Sequence, residues 1–318
     1  MAKKRISVAN FNVVFLDGQK ELPLLSCFDT LFMPALKSGY VRKSGNSTFL
    51  LLNVNIVRDR QGDYVLVGNI VKKTVLDVLS DLNELGELVE KDDHYPSAPY
   101  STFVIYLKNH RMIFAENQKG SPSIKSFRAT IKYIVDKYVR IHNVGLKEAG
   151  KAELPIPIIN VVGIPTRENL EETLKKVARI NELKLKFYPL NGDGDIDYNG
   201  LFTSLTGKLR STVGSKSGEI VLRSPENING VIKVVTESEG IVEPVFKVTY
   251  PDKTTTTIKN DMISERKQIE IESGNFSDEM NRLIEKGKEI DSITYVSEEN
   301  SRIYENNQAK IIPFIRVH

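Results

Sequence analysis

Residues 101–140, STFVIYLKNHRMIFAENQKGSPSIKSFRATIKYIVDKYVR, carry the clearest local fold signals in the chain. Two apolar runs flank the polar tip Lys108–Arg111, and this pattern predicts a β-hairpin. The Gly-Ser-Pro-Ser break that follows predicts the start of a helix. This helix has an apolar face of Ile124, Phe127, Ile131, Ile134 and Tyr138 and a basic flank of Lys125, Arg128 and Lys132. Because nothing in the stretch is arranged as a catalytic site, it favours binding of an anion, such as a nucleic acid, over turnover of a substrate.

Further strand signals precede this stretch. Residues 5–16 predict a first strand, and residues 47–57 and 63–71 predict two more, joined by a turn that ends in glycine. Residues 22–36 predict a helix, and the segment holds two prolines, Pro23 and Pro34. The acidic segment 77–93 is expected to form either a short amphipathic helix or a mobile loop. The first part of the chain is therefore expected to be rich in strands, with one long helix at its end.

The second part of the chain follows a linker predicted at residues 145–153. Residues 154–223 then alternate strand, helix, strand, helix and strand, a pattern that resembles a ferredoxin-like or other small α+β sandwich. A hairpin, a helix and a last strand at residues 310–317 complete the chain. The predicted fold class is α+β, with a strand-rich domain at 1–146 and a sandwich domain at 154–318. The length of 318 residues agrees with two domains of about 150 residues each.

Composition excludes several classes of protein. No run approaches the roughly 18 consecutive apolar residues of a membrane helix, so direct membrane insertion is not expected. The N-terminus is charged and lacks the apolar core of a signal peptide, which predicts a cytoplasmic protein. Cys27 is the only cysteine, so one chain can form neither a disulfide nor a cysteine-based zinc site. The 4 histidines are not paired at the spacing of metal ligands.

Charge is distributed unevenly although the net charge is only +3. Residues 1–150 hold 21 Lys and Arg against 15 Asp and Glu, whereas the remainder holds 23 against 26. Within the first part, residues 76–93 hold one Lys against seven acids, so this segment carries −6 and the rest of the first part +12. Such segregation is compatible with a basic surface and a separate acidic segment, and ordinary scatter of surface charge is the alternative.

The segment 207–218 resembles a phosphate-binding loop in composition. A Walker motif needs Lys directly after its second glycine, but Gly214 is followed by Ser215, which argues against a nucleotide triphosphatase. The segment and its surroundings supply hydroxyls, glycines and the cations Lys208, Arg210, Lys216 and Arg223. These groups suit contacts with a phosphate backbone, and a solvated loop is the alternative. The basic flank of the helix at 124–138 has the same two interpretations, phosphate contact or a solvated stripe.

No catalytic, metal-binding or cofactor-binding residue is predicted. The loop Asn191–Asp197 is acidic, but neither register places glycine and glutamate as an EF-hand requires, so an acidic turn that caps the next helix is expected. No nucleophile elbow is present, and no carboxylates cluster beside a lysine as catalytic magnesium would need. Catalytic groups that are distant in sequence stay open as an alternative.

The order of elements over residues 47–240 resembles the RexA-like family of phage-exclusion and abortive-infection proteins. The resemblance covers about 60% of the chain by the span of these motifs. The segments that carry it are STFLLLNVNIV and DYVLVGNIV, PYSTFVIYL, the strand Met112–Ala115, the helix start GSPSIKSF, LKLKFYP and SGEIVLR. They match the family mainly as a succession of strands and helices. Residues 154–164 and those from Val242 onward match less clearly.

The resemblance implies a non-enzymatic protein that binds double-stranded DNA without sequence specificity. It also implies a homodimer that senses phage DNA and acts through a membrane-protein effector. The positions that carry over best are Lys208, Arg210, Lys216 and Arg223, followed by Lys184 and Lys186. Lys125, Arg128 and Lys132 are added from the helix pattern alone. Two alternatives stay open, a metal-dependent nuclease acting on phage nucleic acid and a protein-protein adaptor that uses its acidic segments.

Overall fold

The computed structural model of the protein describes residues 2–192, 202, 204–271 and 276–315. Within these ranges the chain forms two antiparallel sheets with flanking helices, which confirms the predicted α+β class. The strands are β1 Ala2–Asp17, β2 Lys20–Pro23, β3 Arg42–Ser44, β4 Ser47–Arg58, β5 Tyr64–Leu82, β6 Leu88–Ser97, β7 Tyr100–Tyr106, β8 Arg111–Glu116, β9 Ile156–Gly163, β10 Arg179–Phe187, β11 Gly218–Arg223, β12 Val242–Thr249, β13 Thr255–Lys259 and β14 Arg266–Ile271.

Helices and short helical turns connect these strands. The helices are α1 Met33–Leu36, α2 Ile124–Glu148, α3 Arg167–Leu174, α4 Ile228–Thr236, α5 Asn260–Ile263, α6 Phe276–Gly287, α7 Asp291–Thr294 and α8 Glu298–Ile311. The short turns are 3-10 turns at Leu24–Cys27 and Ile312–Phe314 and π-helical turns at Phe28–Phe32 and Ser204–Arg210. Across the described ranges, no helix is both long enough and apolar enough to cross a membrane.

The larger sheet is built around β1, which is 16 residues long and pairs with four other strands. Its spatial order is β14, β1, β8, β7, β5, β4 and β3, with β2 and β9 also on β1 and β6 on β5. The first half of β1 pairs with β8 and β14, and the second half pairs with β9 and β2. The strands predicted at 5–16, 47–57 and 63–71 and the hairpin and helix predicted within 101–140 are all confirmed.

The long helix α2 closes one face of this sheet. Ser123 caps it by accepting a hydrogen bond from the Ser126 backbone N–H. Phe127 is fully buried, and its ring lies 4.9 Å from that of Phe103, 5.6 Å from Phe114 and 6.1 Å from Phe11, between ring centroids. A smaller cluster on the opposite face includes residues of α6 and α7. The sheet is therefore covered on both faces around its central strands.

The acidic segment 77–93 is neither a helix nor a loop, so that prediction is wrong. Strand β5 continues beyond the main sheet, where it pairs with β6 as a two-stranded hairpin. We call this hairpin the arm and define it as residues 74–97. Along residues 74–82 the sequence TVLDVLSDL places pairs of apolar residues between polar ones, a pattern that fits a helix as well as a strand, and the pairing with β6 makes it a strand. Gly86, at a φ of +81°, allows the turn that returns the chain.

The second sheet has the order β11, β10, β12 and β13, and its apolar face packs on α3 and α4. The strand predicted within 154–164, here β9, was expected in this sheet but pairs with β1 instead. Strand β14, also beyond the predicted domain boundary, joins the larger sheet as well. The larger sheet thus takes strands from both sides of that boundary.

The C-terminal strand predicted at residues 310–317 is wrong in its described part. Ser297 caps α8 by accepting from the Asn300 backbone N–H, and α8 runs to Ile311 before a 3-10 turn follows. The apolar run that suggested a strand instead places Ile311 and Phe314 against the large core. Of the acidic loop at 191–197, residues 193–197 lie outside the described residues, and so do 316–318.

Candidate anion-binding cleft

Helix α2 presents its predicted basic flank beside its buried face, next to β9. Positions 125, 128 and 132 recur at helical spacing, so they share one side while Phe127 and Ile131 face the core. Lys125 and Lys132 are exposed, whereas Arg128 is half-buried. The basic stripe expected from the sequence therefore exists, but its residues differ in solvent exposure.

The segment 207–218 folds back on the first part of the chain through Arg210. Its side chain is 1% exposed, forms an ion pair with Glu21 and donates a hydrogen bond from Nη1 to the Ser215 carbonyl oxygen at 2.5 Å. Breaking a buried pair of this kind is costly because it leaves an uncompensated charge. Arg210 thus anchors the segment and does not lie on its surface, unlike the phosphate contact that was predicted. Lys208 and Lys216 on either side are exposed.

A cleft of about 420 Å³ lies between α2, β9 and this anchored segment. Arg128, Lys132 and Asp136 line it from α2, and Lys216 and Ser217 line it from the opposite side. Asn160 and Tyr188 also contribute to its walls. Two basic regions that were predicted separately from distant parts of the sequence therefore meet at one site.

The floor of the cleft is a neutralised, hydrogen-bonded network. Arg128 donates to Asn160 Oδ1 at 2.7 Å and to Glu243 Oε2 at 3.2 Å, and the Tyr188 hydroxyl donates to the same Glu243 oxygen at 2.8 Å. Burial alone would lower the pKa of Arg128, but Glu243 and Tyr188 outweigh it, and the pKa lies above its ordinary value. Burial and then the charge of Glu243 raise the pKa of Tyr188. The network is therefore a rigid support with a charged arginine that is already paired.

The rim of the cleft carries the more accessible charge. Lys132 pairs with Asp136 at 2.8 Å across one helical turn, and both side chains are about half exposed, at 52% and 43%. An exposed pair of this kind contributes only about 0.3–0.5 kcal/mol, so an incoming anion can replace the carboxylate. Lys216 forms no ion pair with any residue in the described ranges. Lys132 and Lys216 are therefore the cations of this cleft best placed to meet a ligand.

Strand β10 brings two further predicted lysines toward the cleft. Leu183, Leu185 and Phe187 are buried, so the alternating Lys184 and Lys186 lie on the outer face. Lys184 pairs with Glu219 on β11 at 3.2 Å. Tyr188, next on the same side of the chain, lines the cleft. Lys186, half-buried, is the member of this pair nearer to the cleft along the strand.

Arg223 lies at the far end of β11, away from the segment that lines the cleft. Its side chain is 81% exposed and pairs with Glu182 at 3.5 Å. Lys125, one helical turn before Arg128, is exposed and stands beyond the residues that line the cleft. These two cations therefore flank the cleft at a distance.

Residues 4–285 match the family described as Domain of unknown function (DUF4747). The chain belongs to this family. No curated protein matches the chain. The match spans both sheets of the DUF4747 fold and all the residues of the cleft.

The DUF4747 chain has a second, larger cleft of about 680 Å³, lined by residues of the β4–β5 turn and of α6. Its carboxylates are paired with cations: Glu285 with Arg60 at 3.2 Å, and Glu289 with Lys286 at 2.8 Å. Asp59, fully buried, forms an ion pair with Lys288. Among the residues that the structure describes, no group of three or more His, Cys, Asp and Glu could hold a metal ion. Asp59, Glu285 and Glu289 of this second cleft are therefore held in ion pairs.

The residues that the sequence interpretation missed are acids. Asp136 could have been found, because Lys132 and Asp136 stand four positions apart on one helix. Glu21 and Glu243 could not, because they reach Arg210 and Arg128 only through tertiary contacts over more than 100 residues. These two acids are what turn the two arginines from surface cations into structural ones.

Proposed function

We propose that this protein binds double-stranded DNA at the cleft between α2 and the segment 207–218, without reading base sequence. The observation that supports the proposal is the meeting of Lys132 and Lys216 across one open cleft. Each comes from a region whose composition independently favours phosphate contact. Phosphate contacts from lysine and hydroxyl groups position a duplex and supply most of the non-specific affinity.

The chemistry of the exposed groups favours phosphate over base recognition. Within the cleft, the arginine that could make a bidentate base contact, Arg128, is already paired with Glu243 and Asn160. The exposed cations that line the cleft beside it, Lys132 and Lys216, are lysines, which act as mobile point charges and carry little geometric specificity. Lys125, Lys208 and Lys186 extend the lysine surface beyond Lys132 and Lys216.

The biological role that we propose follows from the resemblance to the RexA-like family. In this proposal the protein acts in the cytoplasm as a homodimer, detects phage DNA and passes the signal to a membrane-protein effector. The proposed DNA contact stands on the cleft alone, so it can be tested without a phage or an effector.

The test is a titration of fluorescent duplexes of two unrelated sequences over a range of salt concentrations. If four lysines replace counterions in each chain, the log-log slope of affinity against salt is about −3.6 for one bound chain and about −7.2 for a homodimer that uses both clefts. The double variant Lys132→Gln/Lys216→Gln should bind both duplexes more weakly and lower the magnitude of the slope by about 1.8 for each bound chain. The matched control is Lys253→Gln, an exposed lysine in the β12–β13 turn, which should leave the slope unchanged.

Three results would contradict the proposal. They are an affinity that does not depend on salt, an affinity confined to one sequence, and an unchanged slope in the double variant. The unfolding temperature of each variant should match that of the wild type, because both lysines are exposed.

A further inference from the structure

The arm carries an unusual amount of exposed apolar surface. The large apolar side chains that are more than half exposed there are Val75 52%, Leu76 57%, Leu79 66%, Leu82 64%, Leu85 84%, Leu88 75% and Tyr95 52%. Single exposed leucines are normal, but in the strand register Leu76 stands opposite Tyr95 and Leu82 opposite Leu88, and such a group on one face marks an interaction surface. A two-stranded hairpin is also marginally stable by itself in water, so the arm benefits from a partner.

The arm is strongly acidic as well as apolar. Residues 76–93 hold seven acids and one lysine. The ion pairs of the arm within the described residues join arm residues to each other, with Lys91 at 3.0 Å from Asp81 and His94 at 2.7 Å from Asp77. Lys91 also pairs with Asp93 and His94 with Asp92, whereas Glu84, Glu87 and Glu90 face solvent without a described cation. A partner surface should therefore be both apolar and basic.

The outer side of α2 is such a surface in the same chain. Its exposed apolar residues are Tyr133 at 38%, Ile141 at 45% and Val144 at 57%. Lys137, Arg140 and Lys147 lie among them at helical spacing, and residues 133–148 are basic in sum because these three cations outnumber the two acids, Asp136 and Glu148. We call residues 133–148 on this side the outer stripe. The cleft lies on a neighbouring side of the same helix.

We propose that the arm of one copy of the protein docks on the outer stripe of a second copy. Charge complementarity supports this occupant, because the acidic arm meets a basic helix face. The lengths also agree: Val75 to Leu82 spans about 23 Å as a strand, and Tyr133 to Lys147 about 21 Å as a helix. Because each chain carries one arm and one stripe, a two-fold pairing satisfies both surfaces at once. The proposal does not depend on DNA binding.

The first test is the mass in solution over a range of protein concentrations. The wild type should approach twice the 35.9 kDa of one chain as concentration rises, and added salt should shift it back toward the monomer. The variant Leu79→Ser/Leu82→Ser should remain monomeric at concentrations where the wild type is dimeric. The matched control Leu52→Ser, at a 45% exposed position on β4, should dimerise as the wild type does. A wild type of one chain's mass at every concentration, or a dimer unaffected by the arm variant, would overturn the proposal.

The second test locates the contact by cross-linking. The natural Cys27 is buried, so engineered cysteines are the reactive ones. Mixing Leu82→Cys with an affinity-tagged Val144→Cys under mild oxidation should give a disulfide-linked heterodimer. The control mixture replaces Val144→Cys with Met262→Cys, which is 56% exposed on α5, and should give little heterodimer. Equal yields in the two mixtures would show that the arm has no preferred site on the second copy, and would sink the inference.

Discussion

The two halves of strand β5 have similar sequences and opposite environments. In the inner half Val65 and Ile70 are fully buried, whereas in the outer half, within the arm, Leu79 and Leu82 are 66% and 64% exposed. Both halves are rich in valine and leucine and both are paired as antiparallel strand. The difference lies in what surrounds them.

The inner half has neighbours on every side. Strands β4 and β7 flank it, and the large core and the smaller cluster cover its two faces. The outer half has β6 on one edge and no covering layer among the described residues. Hydrophobic stabilisation scales with the apolar area removed from water, so the same residue type contributes very differently in the two places. The sequence pattern of β5 therefore determines that it forms a strand. The layers around the strand determine whether its side chains form a core or a contact surface.

Truncating one side chain in each half of β5 tests whether only the inner half contributes to a core. Ile70→Ala should reduce the free energy of unfolding by about 2–5 kcal/mol, because it leaves a cavity in a core that cannot fully collapse. Leu79→Ala should change it by no more than about 0.5 kcal/mol at protein concentrations where the chain is monomeric. Urea unfolding curves measure both values. A loss at Leu79 equal to that at Ile70 would mean that the arm packs on its own chain.

A second, smaller difference between the larger sheet and the arm concerns one histidine in each, His110 in the sheet and His94 in the arm. His110 lies in the β7–β8 turn, is 1% exposed, and its Nδ1 has no hydrogen-bond partner in the described residues. Burial first, and then the neighbouring charge of Arg111, lower the pKa of His110 to about 3. Because the unfolded chain binds this proton near pH 6.5, acidification below that value favours unfolding until about pH 3. Between pH 6.5 and 5 this one residue should cost about 2 kcal/mol of stability.

The measurement for His110 is the free energy of unfolding across this pH range in His110→Asn. Asparagine tolerates the φ of +57° at this position and does not titrate, so the acid-induced loss should shrink by about 2 kcal/mol. The control is His94→Asn in the arm, where the side chain is 56% exposed and global unfolding should keep its acid dependence. An unchanged pH profile in His110→Asn would show that this histidine is not kept neutral by the fold.

Periodicity in the sequence predicted the elements that have local signals. The hairpin and helix of residues 101–140 form as expected because each carries a regular apolar pattern and a clear break. The arm was not predicted, because its leucines and acids fit a helix nearly as well as a strand until the pairing with β6 is known. The sheet that β9 joins was also predicted wrongly, because a strand that is apolar on both faces can enter either sheet. Its pairing with the long strand β1 places it in the larger one.

The candidate site was predictable for its lysines and unpredictable for its arginines. Lys132 was singled out from helical spacing and Lys216 from the composition of its segment, and both line the cleft. Arg210 looked equivalent to Lys216 in sequence, yet it is buried against Glu21, an acid from a strand near the N-terminus. No local pattern reports such a contact, because it depends on how distant segments pack. The sequence therefore did not show which of the basic residues pair with an acid and become buried.

The turn of the arm offers a further test of whether the two halves of β5 differ in local stability. Gly86 adopts a φ of +81° in the turn between β5 and β6, and the Asn83 side chain accepts from the backbone N–H groups of Leu85 and Glu87. Gly86→Ala meets no steric obstacle, since nothing lies within 4 Å of the added carbon, so its cost is the left-handed backbone alone, about 1 kcal/mol. Because the arm is only two strands wide, this cost should appear as local opening and not as global unfolding. Amide hydrogen exchange in the arm should accelerate about fivefold in Gly86→Ala while exchange in β7 stays unchanged. Gly86→Asn should accelerate it less, because asparagine enters the left-handed region more readily. An equal change of amide exchange in the arm and in β7 would show that the two halves of β5 open as one unit. The two halves would then differ in solvent exposure but not in local stability.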